Sequence, residues 1–173
     1  MTLEKNFVCK SYSKLSFSLL LHEGIGLKYS TIEAGYDSCV GILGATLGGG
    51  VGPYAGLHGL QIDALRSVRM VTGTGSLIDV SATSHPDLWW GMRGAGFNFG
   101  IVTSATYQVY DFTNNGQAMN ADLRFNASHN ASLYEFARSY TGKLPGTFAI
   151  DIAVAYNEKF GGVSQLPATY SPD

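Results

Sequence analysis

Several features are missing from this chain, and each absence removes a class of function. No block of five or more basic residues occurs, and the formal net charge is −2, from 11 basic and 13 acidic residues. Nucleic-acid surfaces draw their salt-dependent affinity from such blocks, so nucleic acid is not an expected partner. No stretch reaches the roughly 18 consecutive apolar residues of a membrane span, so no membrane role is expected. Cysteine is scarce: Cys9 and Cys39 form no framework and read as free thiols. Charged residues are only 14% of the chain against 45% hydrophobic ones, a balance that builds a sizeable core and disfavours wholesale disorder. The 173 residues suit one domain, or a domain and a fraction.

Glycine is abundant. There are 22 glycines, above the ordinary share of roughly 7%. They concentrate between Gly41 and Gly100, which marks a local backbone requirement rather than low complexity. From Gly41 to Gly52 the chain reads Gly-Ile-Leu-Gly-Ala-Thr-Leu-Gly-Gly-Gly-Val-Gly, closed by Pro53. Such a backbone is expected to bend tightly and to sit close to something.

Residues 1–35 carry little signal. Leu15–Leu21 follows Lys14, like a faint signal-peptide core, but without a convincing cleavage site it reads as a short helix stopped near Gly24 and Gly26. Beyond the glycine stretch, Leu57–Leu65 reads as a turn of helix with an exposed polar face. Ser67–Thr72 and Leu77–Ser81 read as two strands of a hairpin turning at Gly73-Thr74-Gly75-Ser76. Ser84-His85-Pro86-Asp87 opens a helix and Gly94-Ala95-Gly96 ends it. Ile101–Tyr110 reads as a long strand, Asn114–Gly116 as a loop, and Gln117–Phe125 as a strand. A helix near Ser132–Tyr140 and a strand over Thr147–Tyr156 follow, and the tail from Gly161 to Asp173 reads as loop. This alternation argues for an α+β fold.

Asn126-Ala127-Ser128 and Asn130-Ala131-Ser132 are glycosylation sequons, usable only if the chain is secreted, and localisation is left open.

Consecutive glycines such as Gly48-Gly49-Gly50 let amide N–H groups converge on a phosphate or a planar ring edge. No Gly-Lys-Ser/Thr follows, which excludes a Walker loop. The spacing and later acidic residue of a Rossmann fingerprint are not met together. A second cluster, Arg93-Gly94-Ala95-Gly96-Phe97-Asn98-Phe99-Gly100-Ile101-Val102-Thr103, joins a helix end, a glycine turn and a strand start. A strand, a hairpin and a helix separate the two clusters, a spacing that can bring both around one ligand.

With these residues in view, the chain resembles the vanillyl-alcohol oxidase or p-cresol methylhydroxylase (PCMH) type of FAD-linked oxidoreductase. Within it, the chain is most similar to the berberine-bridge-like fungal branch. The matching stretches are Cys39–Gly52, Gly56–Leu60 with Asp63, Pro86–Gly96 and Asn98–Thr103, spread in family order over the span from Cys39 to Thr103. The resemblance implies the second lobe of a PCMH-type FAD-binding domain, with the start of an antiparallel-sheet substrate domain. The expected divisions are a poorly matching segment 1–35, a partial FAD-binding subdomain 36–113 and a partial substrate domain 114–173.

The resemblance also implies roles. Gly41 and Gly44 match glycines that approach the FAD pyrophosphate. Gly48, Gly49, Gly50 and Gly52 match the turn beside the flavin. Asn98 belongs to the second stretch, and Gly100, Ile101 and Val102 match a strand start whose backbone meets the adenine side of FAD. Asp63 and Arg93 match too, with a structural cap and ion pair as the plainer reading.

Relatives add an earlier lobe with an Arg-x-x-Gly-His-type loop, and no such motif occurs here. His22, His58, His85 and His129 stand in other contexts. Asp37 holds the place of the cysteine that bonds flavin in some relatives, with Cys39 two residues later. Tyr107, Tyr110, Tyr140 and Tyr156 read as core or surface aromatics, so no catalytic residue and no metal site is assigned. The expected function is FAD-dependent oxidation of a small organic substrate, a secondary metabolite, with electrons passed to O2. The alternatives are a truncated, non-catalytic remnant, or a half-domain completed by a partner chain.

Overall fold

A computed structural model of the protein describes residues 6–10, 30–31, 40–111, 117–157 and 161–170. The expected helix over 15–21 and the loop over 114–116 lie outside them. The chain divides into two compact units, Met1–Phe112 and Thr113–Asp173.

The first unit runs β1 (Asn6–Lys10), β2 (Ser30–Thr31), α1 (Ile42–Leu47), α2 (Ala55–His58), α3 (Gln61–Ala64), β3 (Leu65–Thr72), β4 (Leu77–Ser81), α4 (Pro86–Ala95), β5 (Gly100–Gln108) and β6 (Tyr110–Asp111). Four strands form an antiparallel sheet in the order β1-β5-β3-β4, and β2 pairs with β6 separately. The β3–β4 hairpin pairs Ser67 with Ser81 through Val71 with Leu77. Its turn is closed by the Gly75 N–H on the Thr72 carbonyl at 3.0 Å and the Thr72 N–H on the Ser76 carbonyl at 2.9 Å.

The central pair β3–β5 is irregular, and the irregularities set which side chains face the core. Its register shifts between Leu65 and Ser67, and again between Arg69 and Met70, where Thr103 is skipped. Burial shifts phase at the same places: Leu65, Val68 and Met70 are buried on β3, and Val102, Ala105 and Tyr107 on β5. An extra residue on one strand moves the period-2 pattern to the other face unless a bulge absorbs it. Thr103 Oγ1 donates to the Arg69 carbonyl at 3.1 Å and fills the second irregularity.

The core joins this sheet to α1, α3 and α4 through Leu47, Ile62, Ala64, Trp89 and Met92, with Ile42, Leu43 and Leu88 packed against it. In α4, Trp89 and Met92 face inward while Trp90 is exposed. Pro86 holds the first helical position, behind His85 at φ 55. The helix unwinds at Arg93 and Gly94, where the sequence expects a glycine stop.

Three local expectations need correction in this unit. The stretch from Gly41 does not bend throughout, because Ile42–Leu47 is helical and the tight bend begins at Gly48. Gly44 and a length of only six residues make the helix a poor one by propensity, but burial of Thr46 and Leu47 overrides that. The single helical turn expected over Leu57–Leu65 is instead two short helices with Leu65 opening β3, and its polar face is split, since Gln61 is buried. The long strand expected to Tyr110 stops at Gln108, because Tyr110–Asp111 pairs with Ser30–Thr31 instead.

The second unit runs β7 (Met119–Asn126), α5 (Asn130–Ser139), β8 (Phe148–Ile150), β9 (Ala153–Asn157) and β10 (Gly161–Tyr170). The expected strand 147–156 is divided at Asp151 and Ile152. The expected loop after Gly161 is instead the central strand of this sheet. β10 pairs with β7 from Val163 to Tyr170 on one side, and with β9 and β8 on the other. Gly161, Gly162 and Pro167 give the segment a loop-like composition, and three neighbouring strands outweigh it. β9 covers β10 to Gln165 and β8 resumes at Ala168, so Pro167 falls in the interruption, where a missing N–H is tolerated. The sheets with their helices make an α+β fold. Among the described residues no helix is long and apolar enough to cross a membrane.

Candidate functional site

α1 and the loop after it form the first glycine cluster. Gly41 caps α1 with extended backbone, φ −69 and ψ 136. The Ala45 N–H is the first in the helix to reach an acceptor, the Gly41 carbonyl at 3.1 Å. The first-turn amides before it have no intrahelical partner. At the far end, the N–H groups of Gly48 and Gly49 are spent on the Ala45 and Thr46 carbonyls. The carbonyls of Gly49 and Gly50 accept from the Ile62 and Gln61 N–H groups at 3.0 and 2.9 Å. Gly52 is buried, and its carbonyl takes the Ala55 N–H at 3.2 Å. The loop is thus tied to α3 at the carboxy end of α1.

A buried polar cluster holds that arrangement. Tyr107, wholly buried on β5, donates to Thr46 Oγ1 at 3.0 Å. Thr46 has one proton to give, and the Ile42 carbonyl at 2.7 Å is nearer than Gln61 Oε1 at 3.3 Å. Gln61 is also buried, and among the described residues its Nε2 has no partner. Its side chain lies against Gly50, where an added Cβ would stand 2.5 Å from Gln61 Oε1, and where φ is +71. Nothing in the spacing of Thr46, Gln61 and Tyr107 announces this cluster. The only sequence sign is a polar residue in each of three otherwise apolar elements.

The second glycine cluster meets the first. A Cβ on Gly96 would stand 2.5 Å from Leu47 Cδ2, and one on Gly48 would touch the Phe97 ring at 3.4 Å. The carboxy end of α1 and the turn at Gly96–Asn98 are therefore in close contact. Asn98 Nδ2 donates to the Ala95 carbonyl at 3.2 Å, closing that turn. Gly100 opens β5 at φ +146, and a Cβ there would collide with the Val71 carbonyl. Ile101 is 73% exposed and Val102 is buried. Asp63 Oδ2 accepts the Leu60 N–H at 2.9 Å and Asp63 Oδ1 meets Arg93 Nη2 at 2.9 Å, a cap and an ion pair joining α3 to the end of α4.

These contacts sort the glycines. Gly50, Gly96 and Gly100 are required by the chain's own packing. Gly41 and Gly44 are not: both are exposed, and an added Cβ would meet nothing within 4 Å. Among the described residues they leave α1 bare beside first-turn amides that have no intrahelical partner. That combination suits an anionic oxygen, which gains from the amides and from the helix dipole.

The remaining candidates serve structure. His58 stacks on Tyr110 with ring centroids 3.8 Å apart and planes 6° from parallel, and its Nε2 is buried without a partner among the described residues. Burial pushes its pKa below the ordinary histidine value. Tyr140 makes an edge contact with Phe136 at 5.0 Å. The Tyr156 side chain and His22 lie outside the described residues. Arg69 and Asp79 pair across the hairpin at 2.8 Å, which lowers the Asp79 pKa and raises that of Arg69, mainly through their hydrogen bond. Among the described residues no three His, Cys, Asp or Glu side chains gather as metal ligands.

No family model matches the chain. Curated relatives do. The FAD-linked oxidoreductase azaG of Aspergillus niger is 51% identical over 119 residues, covering 69% of this chain and 25% of the relative. The FAD-linked oxidoreductase tazL of Aspergillus terreus is 45% identical over 133 residues, covering 77% of this chain and 27% of the relative. The chain therefore spans about a quarter of the length of the curated relatives it matches. Among solved structures, BBE-like 1 of Physcomitrella patens superposes with a TM-score of 0.79 at 28% identity, over 98% of this chain and 36% of that one. The xylooligosaccharide oxidase from Myceliophthora thermophila, in complex with xylobiose, gives 0.77 at 25% identity, over 97% and 35%. Sequence relatives and structural neighbours name the same kind of protein, and the chain belongs to the berberine-bridge-like branch of the FAD-linked oxidoreductases.

Proposed function

We propose that the first unit is the flavin-contacting part of an FAD-dependent oxidoreductase. The observation that carries this reading is the bare face at Gly41 and Gly44, where an added Cβ meets nothing among the described residues, set beside first-turn amides that have no intrahelical partner. In it, those amides hold the FAD pyrophosphate. Gly48, Gly49, Gly50 and Gly52 border the flavin, and the backbone of Asn98, Gly100, Ile101 and Val102 meets the adenine side. Bound FAD supplies two-electron acceptor chemistry, by which a small organic substrate, a secondary metabolite, is oxidised and electrons go on to O2. The chain's own task is orientation and exclusion of water. The Tyr107–Thr46–Gln61 cluster and the Asp63–Arg93 pair fix the two glycine clusters against each other. In the same reading, residues 36–113 are the FAD-binding subdomain and 114–173 begin the substrate domain.

The test is to add FAD to the purified chain, desalt it and record the visible spectrum. Retained flavin bands support the reading, and a colourless folded protein contradicts it. A colourless result is what the remnant reading expects.

A second reading is favoured by the exposed Trp90, Ile101, Val51 and Phe97, at 83, 73, 67 and 63%. Large apolar side chains left in water mark surfaces that another chain covers. If the first unit is completed by a partner chain, light scattering finds an oligomer. A flavin-loaded monomer contradicts it.

A further inference from the structure

We propose that Asn126 is an acceptor for an N-linked glycan and that Asn130, in the second sequon, is not. The site lies in the second unit and does not rest on the flavin reading. Asn126 closes β7 with extended backbone, φ −64 and ψ 146, and its side chain is exposed. Its Oδ1 accepts the Ser128 N–H at 3.0 Å. That turn draws electron density toward the amide oxygen, brings the hydroxyl-bearing residue of the sequon alongside, and leaves Nδ2 turned away from the bond. Among the described residues no acceptor holds Nδ2. Ser128 is exposed as well.

Asn130 carries the same triplet in a different conformation. It is the first residue of α5, with φ −54 and ψ −47, and it is half-buried. Residues two apart on a helix do not face each other, so Ser132 is carried away from Asn130 and the equivalent turn cannot form. The Asn126–Ser128 turn and the helix start at Asn130 depend on neighbours in sequence, so they form early, while the segment is still accessible, and the pairing of Asn126 with Val163 of β10 comes later.

The transfer balances without any change of oxidation state. Asn126 Nδ2 attacks C1 of the first sugar of a lipid-diphosphate-linked oligosaccharide. The C1–O bond to the diphosphate breaks, the lipid diphosphate leaves, and an N–C1 bond forms as one amide proton passes to a base of the transferase. The modification requires the chain to enter the compartment that holds that donor.

The test directs the whole chain into the secretory pathway of a yeast behind a leader peptide and maps glycan occupancy by peptide mass spectrometry of cells and medium. The expected result is glycan on Asn126 in most molecules, no occupancy at Asn130, and an unchanged pattern in Asn130→Gln. Ser128→Ala keeps the Asn126 carbonyl and the N–H of residue 128, and so keeps the turn, but it removes the sequon. It is expected to abolish the glycan while the chain stays folded by circular dichroism. Glycan on Asn130 in place of Asn126, glycan that survives Ser128→Ala at Asn126, or an unmodified chain recovered from the medium would each overturn the proposal.

Discussion

Gly41 and Gly44 separate a ligand role from a packing role more cleanly than any other residues here. Neither has a neighbour that a side chain would strike, so Gly41→Val and Gly44→Val are expected to keep the fold while weakening FAD binding at least tenfold, about 1.4 kcal/mol. Circular dichroism and FAD titration on the same samples check this. Loss of the fold in both variants would contradict the sorting. His58 gives a second residue-scale prediction. Its folded-state pKa is lowered, so on acidification the unfolded chain takes up the proton first and stability falls. The loss starts as pH drops through the ordinary histidine value and is complete below the folded one. His58→Phe keeps a ring on Tyr110 but removes the titration. Thermal unfolding of the variant, either side of that range, is expected to show less acid sensitivity than the parent. The sequence marks both kinds of residue but not the difference between them. Glycine is written the same way whether it makes room for Leu47, as Gly96 does, or leaves a face open, as Gly44 does.

Elements held by local rules were legible before the fold was seen. The β3–β4 hairpin follows from alternation around a glycine turn, and α4 from Pro86 at its start and the glycines at its end. Elements held by distant partners were not. α1 forms because Thr46 and Leu47 are buried against Tyr107 and the core, which lies far along the chain. β10 forms because three strands pair with it despite Pro167. Two substitutions measure how much the distant contacts matter. Tyr107→Phe removes one buried hydrogen bond and leaves Thr46 short of a donor, an expected loss of about 1–2 kcal/mol in denaturant unfolding. Gly100→Ala puts a Cβ into the Val71 carbonyl at φ +146, and the expected loss is larger, about 2–4 kcal/mol, because the β3–β5 pairing must open. If Gly100→Ala proves neutral, the close approach of those strands is wrong.

For the whole molecule, the two glycine clusters meet through Leu47–Gly96 and Gly48–Phe97 above one sheet, and in the proposed reading they form one side of a flavin site. The family was readable from the stretches between Cys39 and Thr103 because close backbone contacts, at Gly50, Gly96 and Gly100 above all, constrain residue type tightly. Substrate choice was not readable, because it depends on side chains around a reacting centre. The most direct test of the central claim is FAD titration into the purified 173-residue chain, followed by visible absorption after desalting and by quenching of Trp89 and Trp90 fluorescence. The account predicts retained flavin that is lost in Gly41→Val and Gly44→Val. A folded chain that retains no flavin, or retains it equally in both variants, would contradict it.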